Sequence, residues 1–309
     1  KKRVKQPWPK DKLFKILTID GGGIRGVFPA AYLAEIEKRF LGGAAITDHF
    51  DMVAGTSTGG IIALALAKGM TAQGALNIYL DKGDRIFPAF KGTDRLIRLV
   101  KSVGQPKHDQ GILRRALEEE FGDELFGAAK IRCVIPCFEG LYGEPFIYKT
   151  PHHPDYTLDQ HKSIVDIALQ TSAAPTVFPA IQDDGYIMVD GGLFANNPIM
   201  NALVDAIACF DVPLDNIRIL SIGTGEGAFS LGESAQNGGL KDWAIALPFL
   251  AAFRAQSKNA LGQAFLLAGK NNVVRIDVPE TPKQIALDDV SRAIAELPFA
   301  ARALAESSG

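Results

Sequence analysis

The sequence predicts an α/β protein: a parallel or mixed sheet covered by helices. Three observations carry this reading. Strand-like apolar runs alternate with helical patterns along the chain. Two of those runs end directly in glycine-rich turns that open helical stretches. Finally, 309 residues, 47% of them hydrophobic, can bury a large core. Length alone leaves open whether one domain or two is built.

In chain order, residues 15–19 form a short β-type run that ends at Asp20, followed by a glycine turn and the helical stretch 29–40. Residues 51–54 are a second strand, with a tight turn and the helical 61–68 after them. Residues 131–136 and 146–148 are further strands, and 163–172 is a helix with apolar Ile164, Val165, Ile167, Ala168 and Leu169. The run 186–189 is a strand leading into Asp190. Asn196 or Asn197 can cap the helix that follows, with Pro198 in its first turn. Residues 216–222 are a strongly apolar strand, and 232–239 is a small, polar connection. The stretches 242–269 and 287–305 read as helices. The expected division is a basic tail over 1–12, a catalytic domain over 13–226, and a mainly helical part over 227–309 that packs on or caps it.

A formal net charge of −2 gives no overall pull toward nucleic acid or acidic membranes. Lys1, Lys2, Arg3, Lys5, Lys10, Lys12 and Lys15 crowd the start and are expected to be solvated, with contact to an anionic lipid or ligand as the competing reading. Cys133, Cys137 and Cys209 are too few and wrongly spaced for a disulfide framework or a zinc site, so buried thiols of a reducing compartment are expected. The apolar run 243–253 contains Pro248 and is too short to span a bilayer. A soluble cytoplasmic protein with peripheral membrane contact when active is the expectation.

Two glycine motifs carry the chemistry. Gly55-Thr56-Ser57-Thr58-Gly59 fits the G-x-S-x-G elbow, in which a sharp strand-to-helix turn strains the serine and flanking glycines admit close chain passage. Gly21-Gly22-Gly23-Ile24-Arg25-Gly26 fits G-x-G-x-x-G, a pattern open to two uses. A dinucleotide site would want an acidic residue at the tip of the next strand. Here that region runs straight into the elbow, so an oxyanion loop is preferred, with Gly22 and Gly23 as leading donors. Arg25 either holds the loop, attracts an anionic head group, or pairs with a surface carboxylate.

The base must then be found. His49, His108, His152, His153 and His161 are the only histidines, and none lies late in the chain, where an α/β-hydrolase triad needs one. His152, His153 and His161 read as surface-loop residues. Asp190 ends an apolar strand and is followed by Gly191 and Gly192, which leave room for substrate.

Taken together, residues 20–26 (DGGGIRG), 55–59 (GTSTG) and 190–192 (DGG), with 171–179 (TSAAPTVFP) and 219–225 (ILSIGTG), make the chain resemble the patatin-like phospholipases over about residues 13–226. The resemblance implies a three-layer sandwich with a central, mostly parallel sheet flanked by helices. It also implies a Ser57–Asp190 dyad, an oxyanion hole from Gly21, Gly22, Gly23 and Arg25, and hydrolysis of lipid acyl esters with no metal or other cofactor. Bacterial proteins of this kind include antiviral effectors switched on by a cyclic dinucleotide, so that activator is an implied partner beside the phospholipid surface. A homo-oligomer is left open, and the alternatives are a constitutive lipid esterase or a dinucleotide-binding protein. For membrane access, 243–253 with 265–267 is the first candidate, 297–299 the second, and burial as ordinary core the competing reading.

Overall fold

The computed structural model describes residues 3–86, 109–175, 177–225, 246–279 and 284–307, with the side chains of 246–250 outside that description. His108, the connection 232–239 and Trp243 lie outside the described residues. The strands are β1 (Phe14–Ile19), β2 (Met52–Gly55), β3 (Arg132–Glu139), β4 (Glu144–Lys149), β5 (Ile181–Asp183), β6 (Tyr186–Asp190), β7 (Ile217–Ile222) and β8 (Val273–Ile276). The helices are α1 (Val27–Phe40), α2 (Thr58–Lys68), α3 (Ala72–Ile86), α4 (Gln110–Phe121), α5 (Ile164–Thr171), α6 (Gly192–Ala195), α7 (Ile199–Cys209), α8 (Ala246–Ala268) and α9 (Val290–Ser307).

Alternation along the strands builds the layers. In β1, Leu17 and Ile19 face a core shared with α1 to α5 and α9, whereas Phe14 and Ile16 face α7 and α8. Val53 of β2 joins the first core, and Met52 and Ala54 join the second. Buried on both faces, these strands are apolar almost throughout, as parallel strands under two helical layers must be. The result is the three-layer sandwich.

The sheet order is β5-β6-β3-β2-β1-β7-β8, with β4 also paired to β3. β1, β2, β3, β7 and β8 run parallel, while β4 and β6 run antiparallel to β3. One consequence of the register matters most. β4 pairs with β3 from Val134 to Glu139, so β2 (opposite Arg132–Val134) and β6 (opposite Cys137–Glu139) share the other edge of β3. They approach from opposite directions, and Ser57 just after β2 meets Asp190 at the end of β6.

Several expectations change. Residues 3–12 pack along the body of the protein rather than trail from it, while Lys5, Lys10 and Lys12 stay exposed as expected. Trp8 packs on Phe14 and Phe210, the Gln6 N–H donates to the Cys209 carbonyl, and Arg3 pairs with Asp155. The apolar Trp8 and the partners on 209–210 explain this, since a charge count ignores both. The part after 226 is also more than helices. β8 extends the sheet beside β7, and α9 lies along α1, with Arg302 and Arg39 reaching Glu35. Helices α3 and α4 and strands β5 and β8 were not read from the sequence. Pro198 is the N-cap residue of α7 rather than its first turn, and Asn197 Oδ1 accepts from the Ile199 N–H at 3.0 Å.

Candidate active site

Ser57 sits at φ 56°, ψ −123°, a left-handed conformation that costs a residue with a Cβ of order 1–3 kcal/mol. Packing around the elbow imposes it. A Cβ on Gly55 would fall 2.0 Å from the Gly59 carbonyl oxygen, and one on Gly59 would fall 2.3 Å from that of Ile19. Only glycine lets the turn fold this tightly. The Ser57 N–H donates to Thr171 Oγ1 at 3.0 Å, and Thr171 Oγ1 donates to the Pro136 carbonyl at 2.7 Å. Thr56 Oγ1 donates to the Ala195 carbonyl at 2.6 Å. The elbow is thus pinned to β3, α5 and α6.

Ser57 Oγ donates to Asp190 Oδ2 at 2.6 Å. Asp190 Oδ1 accepts from the Gly192 N–H at 2.7 Å, and the Asp190 N–H donates to the Ala173 carbonyl at 3.1 Å. Both side chains are buried, Asp190 only 5% exposed. Burial raises the Asp190 pKa to about 6, against the hydrogen bonds from Ser57 and Gly192, which lower it. A carboxylate tuned this close to neutrality can both take and return a proton. Gly191 passes directly over β3: a Cβ there would lie 2.2 Å from the Pro136 carbonyl oxygen.

The glycine loop lies alongside, since a Cβ on Gly21 would come within 3.3 Å of Ser57 Cβ. Its donors divide. The Gly21 N–H is spent on the Asn196 carbonyl at 3.0 Å, which removes Gly21 from the expected donor set. Arg25 also leaves it, in favour of the loop-holding reading offered for it. Its N–H and Nε both bond the Gly22 carbonyl, at 3.2 Å each, and its Nη1 bonds the Gly225 carbonyl, so Arg25 holds the loop. The Gly22 and Gly23 N–H groups have no acceptor among the described residues. Gly23 takes φ +58°, and a Cβ there would meet the Leu287 carbonyl oxygen at 2.5 Å. Gly26 packs on Thr58, whose Oγ1 donates to the Tyr79 hydroxyl. Helix α2 opens directly after Ser57, so its N-terminal N–H groups and dipole favour negative charge at the same place.

Other contributors were not legible in the sequence. The Asn196 side chain, read as a helix cap, lies between Gly21 and Gly192. Gln256 of α8 takes the Asn196 N–H at 3.2 Å and donates to the Gly192 carbonyl at 3.0 Å, and Phe253 packs toward Gly192. Arg275 of β8 grips Asp20 at the head of the loop.

The described histidines stand elsewhere. His49 lies in the turn before β2, at the end of the sheet away from Ser57. His152 and His153 are not surface-loop residues as expected. His153 is 3% exposed and bonds the Val4 carbonyl, while His152 Nε2 sits 2.6 Å from Asp205 Oδ2. His152, Asp205 and Cys209 come close enough to suggest a metal site. However, Asp205 Oδ1 already accepts from Tyr156 and pairs with Lys149 at 2.9 Å, so a cation is present in the network. The arrangement ties Arg3 and β4 to α7. The three thiols are buried, and burial pushes those of Cys133 and Cys137 well up.

A strained serine bonded to a buried carboxylate at the strand ends of an α/β sandwich defines a serine-type acyl hydrolase site. The profile of the patatin-like phospholipases matches residues 17–203. The chain is 35% identical over 285 residues to a cGAMP-activated phospholipase of Pseudomonas aeruginosa, covering 90% of this chain and 83% of that protein. It is 34% identical over 311 residues to a protein of the same description from Vibrio cholerae, covering 90% and 86%. Among solved structures, VipD from Legionella pneumophila aligns over 99% of this chain and 70% of its own, at 14% identity and a TM-score of 0.48. The chain belongs to the patatin-like phospholipase family, and it is a lipid acyl hydrolase. Among the described residues, no helix is long and apolar enough to cross a membrane.

Proposed function

We propose that the protein cleaves acyl esters of membrane phospholipids with Ser57 as nucleophile and Asp190 as its base, and that a cyclic dinucleotide switches it on. The 2.6 Å hydrogen bond from Ser57 Oγ to Asp190 Oδ2 carries the reading. Ser57 Oγ attacks the acyl carbonyl as its proton passes to Asp190. The oxyanion is met by the N–H groups of Gly22 and Gly23, a contribution worth about 10²–10³ in rate per donor. Collapse expels the lysolipid alkoxide, which takes the proton from Asp190. Water then attacks the acyl-serine, gives a proton to Asp190, and fatty acid leaves as Ser57 recovers that proton. The relatives described as cGAMP-activated phospholipases support the activator.

The test is release of fatty acid from phospholipid vesicles by the wild type, Ser57→Ala and Asp190→Asn, each with and without cGAMP. Hydrolysis that appears only with cGAMP and is lost about 10³-fold or more in both variants is expected. Turnover retained by Ser57→Ala would refute the nucleophile, and full activity without cGAMP would refute the switch.

A further inference from the structure

One part of the sheet continues past Ser57. The pairing of Met52–Ala54 with Arg132–Val134, extended by three residues, sets Ser57 level with Cys137, which itself pairs with Asp190. Strand β3 runs on to Glu139 and returns as β4 through residues 140–143. At about 3.3 Å per residue, this turn stands on the order of 10 Å beyond the level of the serine, at the same end of the sheet.

The turn is made of unusual material. Leu141 is 53% exposed and Tyr142 72%, and Tyr186 at the start of β6 adds a ring 44% exposed. Surface turns ordinarily carry small polar residues. The conformation is also fixed in advance. The Glu139 carboxylate, buried beneath the tip, accepts from Leu141 N–H at 2.8 Å and Ile187 N–H at 3.1 Å through Oε1, and from Tyr142 N–H at 2.7 Å through Oε2. The Gly140 N–H adds a bond to the Ile187 carbonyl at 2.7 Å. A tip so held presents its apolar groups without further ordering cost on contact.

Other exposed apolar residues lie differently. Leu266 is near the end of α8, which finishes just before β8 begins, at the far end of the sheet. Phe299 is midway along α9 on the outer face. Leu287, by contrast, flanks the glycine loop, because its carbonyl accepts the Ile24 N–H at 2.9 Å.

We infer that the 140–143 turn is a fixed interfacial anchor, with Leu141 and Tyr142 entering the head-group region of a phospholipid surface and holding the Ser57 end of the sheet against it. This rests on membrane phospholipid as the substrate. A leucine and an amphipathic aromatic ring suit that boundary. Glu144 beside the tip and Asp184 near Tyr186 are exposed carboxylates, the latter paired with Lys162 at 2.7 Å, so local charge disfavours anionic lipid and the contact suits a zwitterionic surface.

The test uses phosphatidylcholine vesicles and soluble p-nitrophenyl butyrate, both with cGAMP present, and compares wild type with Leu141→Ser/Tyr142→Ser. Loss of two partly inserted side chains should cut vesicle hydrolysis and co-sedimentation about tenfold while sparing the soluble ester. Separately, Tyr142→Trp should show an emission blue shift with vesicles that the wild type, with its own two tryptophans, does not. An unshifted emission from the Tyr142→Trp variant, with undiminished vesicle hydrolysis in the double variant, would overturn the anchor, as would equal loss on both substrates. If vesicles shift the emission but neither substrate is hydrolysed by the wild type, the anchor stands and the functional reading falls.

Discussion

Arg275 grips Asp20 with two parallel hydrogen bonds, Nη1 to Oδ1 at 3.0 Å and Nη2 to Oδ2 at 2.7 Å. Asp20 is 2% exposed and stands immediately before the glycine loop, while Arg275 comes from the last strand of the sheet. The same guanidinium bonds Ser221 Oγ and Asp277 Oδ2, and Asp277 Oδ1 takes the Gly225 N–H. The late strand β8 thereby fixes where the early loop begins.

Arg275→Met should therefore destabilise the fold by about 3–5 kcal/mol, because it strands a buried carboxylate without its forked partner. Arg275→Lys keeps the charge but loses the fork, and should fall between wild type and Arg275→Met. Urea melts measure the stabilities. For Arg275→Lys assayed well below its unfolding midpoint, a drop in kcat with unchanged KM is expected, since the loop donors act on the transition state. Wild-type kcat in that variant would limit Arg275 to a purely structural role.

The pH behaviour follows from Asp190, whose burial raises its pKa from the ordinary 3.8 to about 6. The ionised form accepts the serine proton, so kcat/KM should rise with pH through about 6 and then level off. Stability runs the other way. A group whose folded pKa lies above its unfolded value stabilises fully below about pH 3.8, and that contribution is lost as pH climbs through about 6. Ionisation at pH 8 thus costs on the order of 2–3 kcal/mol. Asp190→Asn, inactive, should be more stable than wild type at pH 8 and show a smaller gain at pH 4, as read from thermal melts at both values. A variant less stable at pH 8 would contradict the burial argument.

These effects indicate what a sequence can and cannot disclose. Ser57 and Asp190 were legible because the elbow needs glycines at fixed spacing and because a strand that ends in Asp-Gly-Gly is a local pattern. Their meeting was implied by the family resemblance and by no local pattern, since it depends on β2 and β6 sharing one edge of β3, which is a matter of register. Arg275 was missed for the same reason: its partner lies 255 residues away. The resemblance put Gly21 and Arg25 in the oxyanion hole, yet the Gly21 N–H goes to Asn196, and Arg25 bonds neighbouring carbonyls in the loop-holding role that was one of its expected readings. Which donors stay free is settled by contacts outside the motif. At the basic start the lysines are exposed as composition suggests, but the packing is decided by Trp8 and Gln6, which a charge count does not single out.

Two glycines separate the elbow from ordinary helix propensity. At Gly59 a Cβ would fall 2.3 Å from the Ile19 carbonyl oxygen and 2.6 Å from that of Asp20, both backbone atoms that cannot swing aside. Gly59→Ala must push α2 away from β1, which shifts Ser57 relative to Asp190. At Gly262, inside α8, a Cβ meets nothing within 4 Å. There the intrinsic helix preference acts alone, and Gly262→Ala should stabilise by about 0.5–1 kcal/mol with unchanged turnover. Gly59→Ala should instead destabilise by more than about 2 kcal/mol and lower kcat at least tenfold, since misplacement of about 1 Å at a reacting group costs about 10² in rate. Chemical denaturation and ester hydrolysis on the two variants provide the comparison. Equal stability of the pair would show that the elbow tolerates a side chain at Gly59, and the tight strand-to-helix crossing would no longer explain how Ser57 is held.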